Sequence, residues 1–244
     1  MNAPDVLVLP DRVIHVWSFG LDLAPGDAQR AQSWLSADES TRAALFHFAR
    51  DRSHFIAARG RMRELLAKYL GGDPAALRFA VNSHGKPQLA GDFGANELRF
   101  NVSHSHGHAL LAVTRGAEVG VDLEQIRSDL DSAGIVAGHF SPAERAVWQA
   151  LPEARRRDAF FHGWVRKEAY VKARGEGLSR EPSRYTVELE PEASGRLLAD
   201  ELTPDAPTAW RVEKLDAPTG YAAAVAYSGS GRKVELRLGL VNHP

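Results

Sequence analysis

The second half of this chain retraces the order of its first, and that constrains the fold more than any single motif. In the first half, a strand-like run VIHVWSF (Val13 to Phe19) and a polar helical stretch (Asp27 to Leu35) lead to LSADESTRAALF, where Ser36 and Glu39 have the spacing of a capping box. A long helical stretch from Asp51 to Leu70 follows and stops at GGDP. After it come LRFAV, a loop holding SHGKPQL, and the strands LRFNVSH and HALLAVT. VGVDLE opens a second round. FSPAERAVWQAL repeats the capping spacing with Ser141 and Glu144 and adds Pro142 at the first helical position. A helix from roughly Arg155 to Arg174 then stops at GEGL. RYTVELE stands where LRFAV stood, and AWRVEKL and YAAAVAY stand where LRFNVSH and HALLAVT stood. Capping boxes are common, so the weight rests on the shared order, which argues for a duplication joined near Ala117. The expected fold is α+β: two similar halves, 1–117 and 118–244, packed as a pseudo-dimer about a pseudo-twofold axis with a cleft between them. Glu190 to Pro207 is polar and reads as a loop, and the final LVNHP as a tail or a short pairing strand.

With 244 residues, 44% hydrophobic and 25% charged, the chain has the material for such a core. A net charge of −1 gives no global basic field for nucleic acid. The absence of cysteine excludes disulfides, thiolate metal sites and a cysteine nucleophile, and it fits a reducing cytoplasm. The N-terminal stretch has neither the basic region nor the long apolar run of a signal peptide, and no run is long enough to span a membrane. The expectation is a cytoplasmic protein without nucleic-acid or membrane partners.

Four groups of residues can carry chemistry. Asp122 and Glu124 share one face of a predicted strand, while Val121 and Leu123 turn inward. Two adjacent carboxylates repel unless a cation lies between them, and hard oxygen donors suit Mg²⁺; an arbitrary D-x-E is more often a solvated strand end. Phe161, Val165, Glu168 and Lys172 follow one helix stripe, so an acid and a lysine continue an apolar face toward a polar cleft. Taken alone, that pair reads as an ordinary surface Glu–Lys pair. Arg42, Arg52, Arg59, Arg63 and Lys86 are cations of the first half, a minority of which need be phosphate ligands. His104, His106 and His108 alternate and would point the same way from a continuous strand. Together the acids, lysine and cations are equipment for a diphosphate. No Walker A or GxGxxG loop is present.

GKP, FNVSHS, GVDLE and WVRKEAYVKARGEGL occur in the order of the 4′-phosphopantetheinyl transferase signature, and the chain resembles the broad-specificity type of the surfactin synthetase activator. The resemblance runs from about LSADES to YAAAVAY and implies the pseudo-dimer of two α+β halves. It implies transfer of the phosphopantetheine arm of coenzyme A to a serine of an apo acyl or peptidyl carrier protein, with release of 3′,5′-ADP. It assigns Asp122, Glu124 and Glu168 as Mg²⁺ ligands, and Glu168, Lys172, Asp122 and His104 as the catalytic group, Glu168 being the base. It implies a coenzyme A-binding set of Arg42, Arg52, Gly85, Lys86, Pro87, Ser103, His104, Asp122 and Lys172, with Lys86 and Pro87 on the adenine side and Ser103 and His104 at the phosphates. His106 and His108 match no motif position. A basic position of some relatives, one helix turn past HFARD, falls near His54 or Phe55 here. The expected carrier rim is Asp129 to Phe140 with Arg155 to Arg157, and the expected functional unit is a monomer. Two competing readings are a non-catalytic coenzyme A-binding module and a zinc hydrolase built on the histidine strand, which metal analysis would separate.

Overall fold

Two 22-residue helices, one laid on a four-stranded sheet and the other on a three-stranded antiparallel sheet, form the frame of the computed structural model, which describes residues 6–94 and 97–239. The first half runs β1 (Val13–Gly20), α1 (Pro25–Ser33), α2 (Ala37–Ala44), α3 (Ala49–Leu70), β2 (Arg78–Val81), β3 (Pro87–Ala90), β4 (Leu98–Ser105) and β5 (His108–Arg115). The second runs β6 (Val119–Gln125), α4 (Ser132–His139), α5 (Pro142–Ala150), α6 (Glu153–Arg174), β7 (Tyr185–Val187), β8 (Leu197–Asp200), α7 (Ala206–Ala209), β9 (Trp210–Lys214), β10 (Tyr221–Ser228) and β11 (Lys233–Leu238). The sheet orders correspond: β1-β5-β4 in one half and β6-β10-β9 in the other, each with a separate two-stranded hairpin, β2–β3 and β7–β8. β11 adds to β1 in parallel.

The correspondence reaches single atoms. Ser36 Oγ accepts from the Glu39 amide while Glu39 Oε2 accepts from the Ser36 amide, and Ser141 and Glu144 do the same. Each capping glutamate also reaches the long helix: Arg63 Nε donates to Glu39 at 2.7 Å, and Lys167 Nζ donates to Glu144 at 2.7 Å. Arg63 and Lys167 each lie fourteen residues after the first residue of their helix, Ala49 and Glu153. Both helices end on a left-handed glycine, Gly71 (φ 64°) and Gly175 (φ 68°), the conformation that lets the last carbonyls find partners.

Strand alternation sorts the core. Ile14, Val16, Leu110 and Ala112 of one sheet meet Val121, Leu123, Ala223 and Val225 of the other in a central layer. Trp17 and Phe19 pack with Met62, Leu65 and Leu66 of α3, and Phe161, Val165 and Ala169 of α6 pack with Ala222, Ala224 and Ala226. Among the described residues no helix is long and apolar enough to cross a membrane.

Several expectations need correction. The loop holding SHGKPQL contains β3, whose first residue is Pro87, a position that needs no ladder amide. RYTVELE is a strand only over Tyr185–Val187. Glu190 to Pro207 holds β8 and the start of α7 rather than a plain loop. α4 was not expected, because SAGIVAGH is poor in strong helix formers; Asp131 caps it and buried Val136 anchors it. LVNHP lies outside the described residues.

Candidate active site

The site begins with small residues. A Cβ on Gly120 would sit 2.2 Å from the Ala169 carbonyl oxygen and 2.2 Å from the Ala173 nitrogen, so the α6 backbone rests directly on β6. Ala222, Ala224 and Ala226 of β10 extend this low seat. From it, Lys172 Nζ donates to Asp122 Oδ1 at 2.5 Å and to Ser103 Oγ at 3.0 Å, and Ser103 Oγ donates to Asp122 Oδ1 at 2.7 Å. Asp122 is buried, and its Oδ2 has no hydrogen-bond partner among the described residues.

The first half holds these groups through β4. Asn101, Ser103 and Ser105 alternate onto one buried face. Asn101 Oδ1 accepts from the Val121 amide at 2.9 Å. Ser105 Oγ accepts from the Gln125 amide at 3.1 Å and donates to Glu124 Oε2 at 2.8 Å. β4 side chains therefore satisfy β6 amides on the edge away from β10 while orienting both of its carboxylates.

Glu168 stands one turn before Lys172. It is half-buried, and its carboxylate makes no hydrogen bond to another described residue. Burial raises its pKa first and the charge of Asp122 raises it further; Lys172 opposes this, and Glu124 adds to it. Glu124 is likewise raised, by burial and then by Asp122. Asp122 thus acts on both of the other acids, yet among the described residues no three His, Asp or Glu side chains stand close enough to enclose a metal ion. The geometry is not a finished three-carboxylate cage. It does fit a hard cation completed by substrate: Asp122 Oδ2 is a buried ligand atom without a hydrogen-bond partner among the described residues, and Mg²⁺ commonly takes only one or two carboxylates beside phosphate oxygens.

His104 lies on the opposite face of β4. Loss of hydration, then the charges of Lys172, His54 and Arg59, hold its imidazole below the usual histidine range. It shares a hollow of about 310 Å³ with His106, Arg50, Asp51, His54, Phe46 and Phe55. The guanidinium carbons of Arg42 and Arg59 sit 5.6 and 5.9 Å from the centre of the Phe55 ring, so Arg42 reaches this corner. Arg52 does not; it lines a separate hollow with Leu21, Leu23 and Ile56. Lys86 and Pro87 border a third hollow of about 210 Å³ on the seam between the halves, with Phe100, Glu118, Arg174 and Gly175. Gly85, at φ 86°, makes the turn before them.

The histidine run does not form one face. β4 ends at Ser105, His106 turns with φ 52°, and His108 begins β5 with its ring edge-on to Tyr221. A hairpin interrupts what the alternation suggested. The arginine run at the start of α6 is largely engaged: Arg155 donates to Glu192, and Arg156 donates to the Leu151 and Gln149 carbonyls. Arg157 lies about 17 Å of helix from Glu168. The rest of the expected rim is closer: the His139 ring of α4 stands 6.0 Å, centre to centre, from that of Trp164, one helical turn before Glu168.

Sequence reasoning missed Asn101, Ser105 and Gly120. The alternating N-x-S-x-S of β4 and a glycine two residues before Asp122 were the available signals.

Comparison with known proteins agrees with the geometry. Residues 118–226 match the 4′-phosphopantetheinyl transferase superfamily, and residues 24–115 match the family described as 4′-phosphopantetheinyl transferase, N-terminal. The chain is 36% identical to 4′-phosphopantetheinyl transferase HetI of Nostoc sp., over 94% of this chain and 93% of that protein. It is 24% identical to 4′-phosphopantetheinyl transferase Sfp of Bacillus subtilis over 83% and 86% of the two chains. It is 29% identical to the human L-aminoadipate-semialdehyde dehydrogenase-phosphopantetheinyl transferase over 64% and 53%.

Proposed function

The chain belongs to the 4′-phosphopantetheinyl transferase superfamily, and on that premise we propose that its site moves the phosphopantetheine arm of coenzyme A onto a serine of an apo carrier protein. The observation that carries this reading is the meeting of Lys172, Ser103 and Asp122, with the unpaired Glu168 carboxylate one helical turn away.

In this reading the serine oxygen bonds to the β-phosphorus of coenzyme A. The bond from that phosphorus to the bridging oxygen breaks, and its electron pair leaves with 3′,5′-ADP. Glu168 accepts the serine proton, a role favoured by a carboxylate whose pKa is raised by burial and by neighbouring acids. Lys172 meets the charge that develops on the departing phosphate, and Ser103, His104 and Arg42 position the phosphates. Gly85, Lys86 and Pro87 border the seam hollow on the adenine side. Asp122, with Glu124 and Glu168, would hold Mg²⁺, which when bound offsets charge on the pyrophosphate. The exposed edge of α4, Ala137 to His139, lies beside Trp164, one turn before Glu168, and is the docking side for an acyl or peptidyl carrier domain. Both halves of one chain contribute to the site, so a monomer suffices. A cytoplasmic setting is part of the proposal, since a chain without cysteine fits a reducing compartment.

The test is intact-protein mass spectrometry of apo acyl and apo peptidyl carrier proteins incubated with this protein, coenzyme A and Mg²⁺. The expected result is a gain of one phosphopantetheine arm, absent with Glu168→Gln and absent with EDTA. No gain on any carrier, with coenzyme A still bound, would favour the non-catalytic binding module.

A further inference from the structure

The turn between β2 and β3, Asn82 to Lys86, sits on the C-terminal end of α6, across the seam between the halves. A Cβ on Gly175 would lie 2.9 Å from Asn82 Nδ2 and 3.2 Å from Lys86 Cδ, and one on Gly177 would lie 3.3 Å from the His84 carbonyl oxygen. The two glycines of GEG therefore form the seat for the GKP turn, and two motifs far apart in sequence touch. Asn82 Nδ2 donates to the Gly175 carbonyl at 2.8 Å. Its Oδ1 accepts from the His84 and Lys86 amides, each at 2.9 Å, and so shapes its own turn.

Lys86 makes the second tie. Its Nζ donates to the Ala173 carbonyl at 2.9 Å and to Glu118 Oε2 at 3.0 Å. Its side chain is only 14% exposed. Ala173 follows Lys172 directly, and Glu118 stands immediately before β6, four residues ahead of Asp122. One ammonium thus clasps the end of the helix that carries Glu168 and Lys172 and the start of the strand that carries Asp122. The last carbonyls of a helix lack intrahelical partners and favour a cation, so this contact suits the end of α6 on both counts.

We propose that Lys86 and Asn82 are positioning residues for the catalytic corner: they fix the register of α6 against β6 so that Lys172 and Glu168 stand over Asp122. This rests on the transferase reading, and it differs from the coenzyme A-contact role that the family resemblance implies for Lys86.

Three variants test it by steady-state kinetics on an apo carrier protein at varied coenzyme A: Lys86→Met, Lys86→Arg and Asn82→Asp. The aspartate keeps the acceptor that shapes the turn and replaces the donor to Gly175 by a carboxylate oxygen that cannot donate and repels that carbonyl. Positioning predicts that Lys86→Met and Asn82→Asp each lower kcat by about tenfold or more. The coenzyme A KM should stay within about threefold, and Lys86→Arg should recover most of the lost kcat. A raised coenzyme A KM with kcat intact would make Lys86 a substrate ligand and overturn the proposal, as would wild-type kinetics in both variants. Should Lys86→Met fail to fold, Asn82→Asp decides. Hydrogen exchange of the amides from Lys172 to Glu176 supplies a readout that needs no turnover: faster exchange in Asn82→Asp supports the tie, and unchanged exchange counts against it. A wild-type protein inactive on every carrier would sink the transferase reading, while the exchange result would still judge the tie.

Discussion

The two long helices carry the same pair of charged residues at the same places. Glu64 and Lys68 lie fifteen and nineteen residues after Ala49, the first residue of α3; Glu168 and Lys172 lie fifteen and nineteen after Glu153, the first residue of α6. In the first half the pair is structural. Glu64 accepts from Arg61 at 2.8 Å, and Lys68 stands 3.9 Å from it. The strand beneath α3 turns His15, Trp17 and Phe19 toward the helix, and the Tyr69 hydroxyl bonds both the His15 ring at 2.6 Å and the Trp17 indole at 2.8 Å. In the second half β6 offers Gly120, Asp122 and Glu124 instead. A Glu–Lys pair one turn apart is worth only a few tenths of a kcal/mol by itself. On the proposed function, the strand under the helix decides whether it becomes a reactive corner: large aromatic residues fill one interface, and a glycine with two carboxylates opens the other.

The largest expected effect comes from removing each pair in turn. Glu168→Gln and Lys172→Ala should each lower kcat by about 10²- to 10⁴-fold. Glu64→Gln and Lys68→Ala should leave turnover within about twofold and cost about 0.5 kcal/mol of stability at most. Carrier-modification rates for the four variants check this directly. A loss at Lys68 comparable to that at Lys172 would break the contrast between the halves.

Glycine provides the next comparison. Gly120 meets the backbone of α6, and Gly60 of α3 meets Ala31 of α1, where a Cβ would lie 2.4 Å from the Ala31 Cβ and 2.6 Å from its Cα. Each change to alanine overpacks a helix contact and should cost about 1–3 kcal/mol in denaturant unfolding. Only Gly120→Ala displaces the helix that carries the reactive groups, so only it should also lower kcat per folded molecule, by about 10²-fold. Equal kcat values for the two variants would separate the seat on β6 from catalysis.

Much of this was legible in the sequence because it depends on short-range signals. The capping boxes, the glycine stops and the periodic strands each follow from a few adjacent residues, and repeated in order they reveal the two halves. Spacing put Asp122 and Glu124 on one strand face and Glu168 and Lys172 on one helix stripe, but each pattern alone reads as ordinary surface, and only the resemblance implied their roles. What could not be read was which strand lies beside which. The ties from Asn101 and Ser105 to β6 link residues 19 and 20 positions apart, that from Lys86 to Ala173 links residues 87 apart, and no local pattern encodes them. The histidine run shows the opposite failure. Alternation suggested one continuous face, but the backbone turns over at His106 and Gly107 and sends His108 into the next strand.

Each half also buries a histidine whose pKa is lowered to about 4, and these should give the protein a shared weakness in acid. Burial, then the charge of Arg237, lowers the His15 pKa from 6.5 to about 4; burial, then Arg166, lowers that of His162 from 6.5 to about 4. Between pH 4 and 6.5 the unfolded chain binds protons that the folded chain does not. Stability from these groups is therefore complete above pH 6.5 and is lost progressively as the pH falls toward 4. Denaturant midpoints at pH 7 and pH 5 should show a drop in the wild type, and a smaller drop in His15→Gln and in His162→Gln. A pH-independent midpoint over this window would mean that neither imidazole is held neutral.

The first turns of the two long helices give the smallest expected effect and the finest test of the asymmetry. Arg50 of α3 lines the hollow shared by His54 and His104, where the proposal places coenzyme A phosphate. Arg155 of α6 is bound at 2.6 Å to the exposed carboxylate of Glu192, and Arg157 lies at the far end of the helix from Glu168. Surface pairs of the Arg155–Glu192 kind contribute about 0–1 kcal/mol, and their charges are screened beyond about 8–10 Å. Arg50→Glu should raise the coenzyme A KM several-fold at low salt and less at high salt. The double change Arg155→Glu and Arg157→Glu should leave both the carrier and coenzyme A KM within about twofold. A carrier KM that rises sharply in the double variant would instead extend the docking surface from α4 along the start of α6, as the arginine run first suggested. Carrier binding would then run along the helix that also holds Glu168 and Lys172, while the start of the other long helix contributes only to coenzyme A, a division of labour sharper than the proposed corner alone requires.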